Sequence, residues 1–137
     1  MRSWSTLLPA VVLVVLAAAS VAEEAFVCNL GALNVAQRER HQKLGRLLRS
    51  AVVEKTELEN GYAFVLDLGR LPADSAGEAF CVVEVAEWVD LESRYCPFLS
   101  FGFELEPKRK AVRLRLTGAR GVKAVLESEL ELLGGTK

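Results

Sequence analysis

The sequence has few of the residues that most often carry chemistry. It contains one histidine, His41, three cysteines and no familiar catalytic motif. There is no nucleophile elbow of the GxSxG type, no Walker phosphate loop and no dinucleotide-binding fingerprint. The metal-binding patterns CxxC, HExxH and HxxxH are also missing. We therefore name no catalytic residue and no cofactor, and an enzyme is the least supported class of function.

Neither sign of charge dominates the chain. The 17 lysines and arginines are balanced by 18 aspartates and glutamates, and the two signs are interspersed. A basic excess on one segment is typical of proteins that bind nucleic acids or anionic membranes, and this sequence has none. We therefore expect no nucleic-acid partner.

The longest apolar run is too short to cross a bilayer. Residues 7–19 follow Arg2, whereas a membrane span needs about 20 apolar residues. Ser20 and Ala22 suit a signal-peptidase site, so the sequence predicts a signal peptide over residues 1–22, cleaved before Glu23. Retention of this segment as an uncleaved anchor is the alternative.

Cleavage would leave residues 23–137 as a single domain. About 115 residues are enough for one compact core, and no later segment is apolar enough to span a bilayer. We expect an exported protein, periplasmic or extracellular, of bacterial type. An odd number of cysteines would then enter an oxidising compartment, so at least one thiol stays unpaired, binds a ligand or pairs between chains.

Periodicity and turn signals predict an α+β fold with the order α-ββ-α-ββ-α. Capping boxes begin the first two helices, Asn60-Gly61 suits a type I′ turn, and Pro97 ends the second helix. The predicted elements are a helix over residues 34–53, strands 53–58 and 62–68, a helix over 75–95, strands 99–105 and 112–116, and a helix over 121–133.

These elements are most simply buried as one layered domain. A four-stranded antiparallel sheet with helices packed on one face would cover every apolar stripe. The repeated helix-plus-hairpin order also suggests two half-repeats. The similar triplets 57–59 and 104–106, each placed before a turn, add weak support.

Glu92 is the most informative polar residue. Counted at about 100° per residue, it falls on the same arc of the second helix as Val85 and Trp88. A buried carboxylate needs a donor, a cation or a polar pocket. His41 extends the inner face of the first helix and would meet Glu92 if the two helices pack side by side. The alternative is that Glu92 reaches water or an arginine, and that His41 is an ordinary hydrogen-bonded or surface residue and not a ligand.

The cysteines allow two interpretations. Cys28 and Cys96, with Glu92 and His41, would supply the sulfur, oxygen and nitrogen ligands that zinc or a softer ion accepts. A disulfide between Cys28 and Cys96 competes with this metal site, because export permits it. Cys81 lies in an apolar arc and is most simply a small buried residue.

Several short motifs resemble those of a set of small bacterial proteins with no established activity. The motifs are Cys28-Asn29-Leu30, Gly61-Tyr62-Ala63-Phe64, Ala86-Glu87-Trp88, Cys96-Pro97-Phe98-Leu99, Leu116-Thr117-Gly118 and Gly121-Val122-Lys123. The resemblance implies that Cys28, Glu92 and Cys96 occupy that set's recurring positions and that Cys81 does not. The chain departs from the set at Tyr95, which stands where the set usually has the first cysteine of a pair, and in its export signal.

Two hypotheses follow from the sequence. In the first, the exported domain binds a soft metal ion, or a small ligand, or responds to redox conditions through Cys28 and Cys96. In the second, it is a structural or protein-interaction module with a Cys28–Cys96 disulfide and no chemistry. A Cα separation beyond about 7 Å would exclude the disulfide.

Overall fold

Three helices and four strands make up the fold of the computed structural model, which describes residues 26–73, 82–130 and 132. In chain order they are α1 (Val35–Ala51), β1 (Val52–Leu58), β2 (Gly61–Asp67), α2 (Val82–Tyr95), β3 (Ser100–Glu106), β4 (Ala111–Thr117) and α3 (Val122–Glu129). The predicted order α-ββ-α-ββ-α is confirmed. The predicted signal peptide, the second capping box and Cys81 lie outside the described residues.

The four strands form one antiparallel sheet in the order β1-β2-β4-β3. The central strands β2 and β4 pair about Phe64 and Leu114, so that the first residue of each strand lies opposite the last residue of the other. Each central strand carries its own hairpin partner on the outside. The sheet is therefore symmetric in its pairing, as two helix-plus-hairpin units related by an approximate two-fold axis would be.

The core lies on one face of this sheet, as the sequence predicts. Apolar residues of the central strands pack there against the buried stripes of the helices. The strand residues are Tyr62, Phe64, Leu66, Val112, Leu114 and Leu116. The opposite face carries Arg113 and Arg115, and the Arg115 side chain lies so close to Gly102 that an added Cβ would be 2.8 Å from its Nε.

The start of α1 is confirmed and its end differs by two residues. The Asn34 side chain accepts a hydrogen bond from the Gln37 N–H at 2.9 Å, and the Gln37 side chain accepts one from the Asn34 N–H at 3.0 Å. The helix ends at Ala51, because the β-branched residues Val52 and Val53 join β1 instead.

The prediction for the first hairpin turn is wrong in register. Leu58 pairs directly with Gly61, so the two loop residues are Glu59 and Asn60. Neither of them has a positive φ, whereas Gly61 has a φ of 155° as the first residue of β2. Glycine is needed there because a Cβ would lie 1.9 Å from the Leu116 carbonyl oxygen. Close approach of β4, which the local sequence does not reveal, explains this glycine.

The later elements agree more closely with the sequence. α2 ends at Tyr95, just before Pro97, and β3 joins β4 through a short 3₁₀ turn at Pro107–Arg109. α3 is shorter than predicted, because Leu130 already has extended backbone angles. Within the described part of the chain, no helix is both long enough and apolar enough to cross a membrane.

Candidate functional site

A disulfide joins the segment before α1 to the end of α2. Cys28 and Cys96 are bonded, and their Cα atoms lie 4.5 Å apart. This separation is within the range of about 4.4–6.8 Å that disulfides adopt. Next to the bond, the Asn29 N–H donates a hydrogen bond to the Tyr95 carbonyl oxygen at 2.6 Å. The chain entering α1 is therefore attached to α2 by a covalent bond and a backbone hydrogen bond.

Glu92 lies inside the domain, one turn before Cys96. Its side chain is 1% exposed, because α2 directs it toward the same side as Val85 and Trp88. Oε2 is hydrogen-bonded to His41 Nε2. Oε1 has no hydrogen-bond partner. The prediction that Glu92 is buried beside a polar partner is confirmed, and the alternative in which it reaches water is wrong.

His41 reaches Glu92 from α1 and is enclosed by aromatic rings. The imidazole stacks on Trp88 with a centroid separation of 5.9 Å and an interplanar angle of 8°. Its centroid also lies 5.7 Å from that of the Tyr95 ring. With its Nε2 on Glu92, the ring is oriented by packing on two sides and by one hydrogen bond. The predicted meeting of His41 and Glu92 across the two helices is confirmed.

A second pair of side chains links the same two helices nearer the surface. Arg40, the neighbour of His41, donates two hydrogen bonds to Glu87, at 2.9 and 2.6 Å. These hydrogen bonds are the main cause that lowers the pKa of Glu87 and raises the pKa of Arg40. Two adjacent residues of α1 thus contact α2: His41 through the buried Glu92, and Arg40 through the half-exposed Glu87. Both contacts hold α1 beside α2.

A cavity of about 220 Å³ lies between α1, α2, the segment before α1 and the end of α3. Glu92, His41 and Cys96 are part of its wall, together with aromatic and apolar side chains and two charged residues. The remaining lining residues are Leu30, Leu33, Arg38, Gln42, Gly45, Trp88, Tyr95, Glu129 and Leu130. Three of the four residues singled out from the sequence, His41, Glu92 and Cys96, therefore line one cavity, which is partly open to solvent.

The sequence gives one signal for this cavity. Gly45 is buried on α1 and lies one turn after His41, on the same side of the helix. A glycine on the inner face of a helix contributes no side-chain volume, so space remains where a larger residue would fill it. Glu129 and Arg38 had no such signal, because their place at the cavity depends on how distant segments pack.

The pKa of the Tyr95 phenol is raised above its usual value. Its partial burial is the main cause that raises its pKa, and the negative charges of Glu129 and Glu92 add to the shift. Tyr95 therefore keeps its proton at neutral pH, and its ring meets the cavity beside the disulfide.

Of the four residues predicted as metal ligands, His41, Glu92 and Cys96 line the cavity, and Cys28 does not. Cys28 and Cys96 are bonded to each other, so neither sulfur is a thiolate. In residues 26–73, 82–130 and 132, no group of three or more histidine, cysteine, aspartate or glutamate side chains is arranged to hold a metal ion. A metal site in the reduced chain stays a prediction.

A further polar cluster, which the sequence does not indicate, joins the first hairpin to α3. Tyr62 donates a hydrogen bond to Glu127, and Lys123 donates one to Glu57. The Lys55 ammonium lies 4.5 Å from the centre of the Tyr62 ring. The partners are 65 and 66 residues apart in sequence, so only the packing of α3 on the sheet brings them together.

Comparisons of this chain with protein-family models, with curated proteins and with solved structures found no match.

Proposed function

We propose that this chain is an exported structural or interaction module whose Cys28–Cys96 disulfide stabilises its fold. The observation that carries the proposal is the disulfide itself, which joins two segments 68 residues apart. Disulfides form and persist in oxidising compartments and are rare in the cytosol. The apolar run at the N-terminus supports the same location, because its length and flanks are typical of a signal peptide.

The location of the bond supports a structural role. Cys96 is 2% exposed, and an oxidised pair has no thiolate with which to attack a substrate or bind a metal. The bond closes a large loop that contains α1, the first hairpin and α2. Its effect is therefore to restrict the unfolded chain and to hold residues 26–34 on the domain.

The experiment is a thiol count on protein recovered from the exported fraction of cells that express the whole chain. We expect an N-terminus at Glu23 and one free thiol per chain, that of Cys81, under denaturing conditions without reductant. Reduction should raise the count to three, because the chain has three cysteines. Two results would contradict the proposal: an uncleaved protein, still carrying residues 1–22, that is found in the cytosol, or three free thiols per chain before reduction.

The metal hypothesis requires that the Cys28–Cys96 disulfide be reduced. It merits a test because the bonded cysteines and the His41–Glu92 pair both lie between α2 and the N-terminal part of the domain. After reduction, Cys28 and Cys96 would regain thiolates beside Glu92 and His41, a ligand set that zinc accepts. Reduced protein is mixed with Zn²⁺, and retained metal is measured after gel filtration. Stoichiometric zinc that is lost in Cys28→Ser would support a metal site, and equal retention by the two proteins would exclude one at Cys28.

A further inference from the structure

We propose that the cavity between α1 and α2 binds a small organic ammonium ion, a primary amine with an apolar body, whose nitrogen donates to Glu92. This inference goes beyond the structural role proposed above and does not use the chemistry of the disulfide. It rests on the size of the cavity, on an unpartnered buried carboxylate oxygen and on the aromatic wall.

The cavity has the volume of a small-molecule site. At about 220 Å³ it is larger than an engineered cavity of about 150 Å³ that takes up benzene. Its wall is mostly apolar, with a few polar groups at one end. This composition is typical of small-ligand sites, in which apolar contacts supply affinity and a few polar groups orient the ligand.

Glu92 provides the polar group that lacks a partner. Within the described part of the chain, its Oε1 is the one buried side-chain nitrogen or oxygen atom without a hydrogen bond. A buried acceptor left without a donor is costly, and more so when it is charged. Glu92 forms part of the cavity wall and Oε1 is itself buried, so a donor on a bound molecule would satisfy this oxygen once the carboxylate turns toward the cavity. The other oxygen is already held by His41.

The charges around the cavity favour a cation over an anion. Arg38 and Glu129 are both exposed, have opposite signs and lie at the rim, and Arg38 donates to the Leu30 carbonyl oxygen at 3.4 Å. Glu92 is the buried acid of the wall. An anionic ligand would therefore meet a buried carboxylate, whereas an ammonium ion would form a charge-assisted hydrogen bond with it.

The aromatic residues of the wall also suit an organic cation. Trp88 is 2% exposed and lines the cavity together with Tyr95 and His41. The faces of such rings attract ammonium groups; one face of Trp88 is covered by His41, so the partly buried Tyr95 ring is the more accessible of the two. The apolar body of an amine would pack against Leu33 and Leu130, which line the same cavity.

The test compares three probes that share one aromatic body and differ in the end group. Phenethylamine, phenethyl alcohol and hydrocinnamate are titrated into the purified protein at neutral pH, and heat is measured calorimetrically. We expect the amine to bind at least about tenfold more tightly than the alcohol, a difference of about 1.4 kcal/mol, and hydrocinnamate to bind most weakly. Equal binding of the three probes, tightest binding of hydrocinnamate or binding of none would overturn the proposal.

Two variants connect the binding to the cavity. Glu92→Gln keeps the shape of the side chain and removes its charge, so amine binding should weaken at least about tenfold while alcohol binding stays nearly the same. Glu87→Gln is the matched control, since it is the same exchange on α2 but lies outside the cavity, and it should bind the amine like the parent. Unchanged amine binding in Glu92→Gln would contradict the proposal.

Gly45→Leu covers the case in which Glu92→Gln does not fold. A leucine one turn after His41 would occupy the cavity without altering any charge, and it improves helix propensity. We expect this variant to keep its thermal unfolding transition and to lose binding of all probes. Amine binding that survives in folded Gly45→Leu would place the ligand elsewhere and overturn the inference.

Discussion

At the scale of single residues, the contact between His41 and Glu92 has the largest energetic consequence. Glu92 is almost fully buried, and His41 supplies its one hydrogen bond. Removing one member of a buried pair leaves the other without compensation, which costs more than the pair contributes. The neighbouring Arg40–Glu87 pair offers a comparison between the same helices, because both its side chains are 39% exposed. Exposed pairs of this kind stabilise proteins only slightly.

We expect His41→Ala to lower the free energy of unfolding by about 2–4 kcal/mol, since Glu92 then has no donor for either oxygen. Arg40→Ala, the matched change one residue earlier, should cost about 0.2–1 kcal/mol. Adding Glu92→Leu to His41→Ala should recover part of the loss, because no charge remains buried. Chemical denaturation measures all three, and equal costs for the two alanine variants would contradict this account.

Tyr62 gives a second prediction at the residue scale. Its hydrogen bond to Glu127 is the main cause that raises its pKa to about 12. Because the pKa in the folded protein lies above the unfolded value of about 10, this contribution to stability is complete below pH 10 and is lost as the pH rises toward 12. In a Tyr95→Phe background, absorbance titration should follow Tyr62 alone, since the chain has 2 tyrosines.

Glu127→Gln should lower that midpoint toward about 10, because the charged acceptor is gone. Glu129→Gln, two residues later on the same helix, should leave the midpoint nearly unchanged. If Glu127→Gln leaves the Tyr62 titration midpoint unchanged, the hydrogen bond to Glu127 does not control this titration.

At the scale of elements, the sequence predicts helices and strands better than the turns between them. The capping box of Asn34 and Gln37 begins α1 as expected, since those contacts are local in sequence. The sequence predicts a turn at Asn60-Gly61, one residue later than the loop observed at Glu59 and Asn60. The prediction fails because Gly61 is required by its contact with β4 and not by the hairpin turn. Local signals are reliable where the physical cause is local.

Gly61→Ala tests that explanation. The new Cβ would overlap the Leu116 carbonyl oxygen, and the φ of 155° is unfavourable for alanine. We expect a loss of about 2 kcal/mol or more in unfolding free energy, or failure to fold. Gly31→Ala is the control, because its nearest neighbour is the Asn29 side chain at 3.5 Å, and its effect should be within about 0.5 kcal/mol. Comparable stability of the two variants in denaturant would contradict the close approach of β4.

At the scale of the whole molecule, the disulfide and the cavity depend on the packing of α1 beside α2. This packing brings Cys28 to Cys96 and His41 to Glu92 at the same end of the helix pair. It also leaves about 220 Å³ between them. The features with functional interest are therefore concentrated on one side of the sheet, next to the N-terminal segment.

The double variant Cys28→Ala/Cys96→Ala should be less stable than the parent by about 2–4 kcal/mol, because the 68-residue separation closes a long loop in the unfolded chain. Urea unfolding under oxidising conditions measures the difference. Reductant should bring the parent close to the double variant and leave the variant unchanged. A double variant as stable as the oxidised parent would show that the bond contributes nothing to the fold.

The sequence by itself determined the order of the elements, the apolar core face of the sheet and the position of Glu92 on the inner arc of α2. Each of these depends on periodicity or on contacts a few residues apart, which a single chain displays directly. It left open whether Cys28 and Cys96 bind a metal or each other, and it showed no sign of the Tyr62–Glu127 contact. Only the tertiary structure shows the disulfide and the Tyr62–Glu127 contact, because both depend on distances between segments far apart in sequence. Cys28 and Cys96 form a disulfide with a Cα separation of 4.5 Å, and the same packing forms the cavity that Cys96 lines.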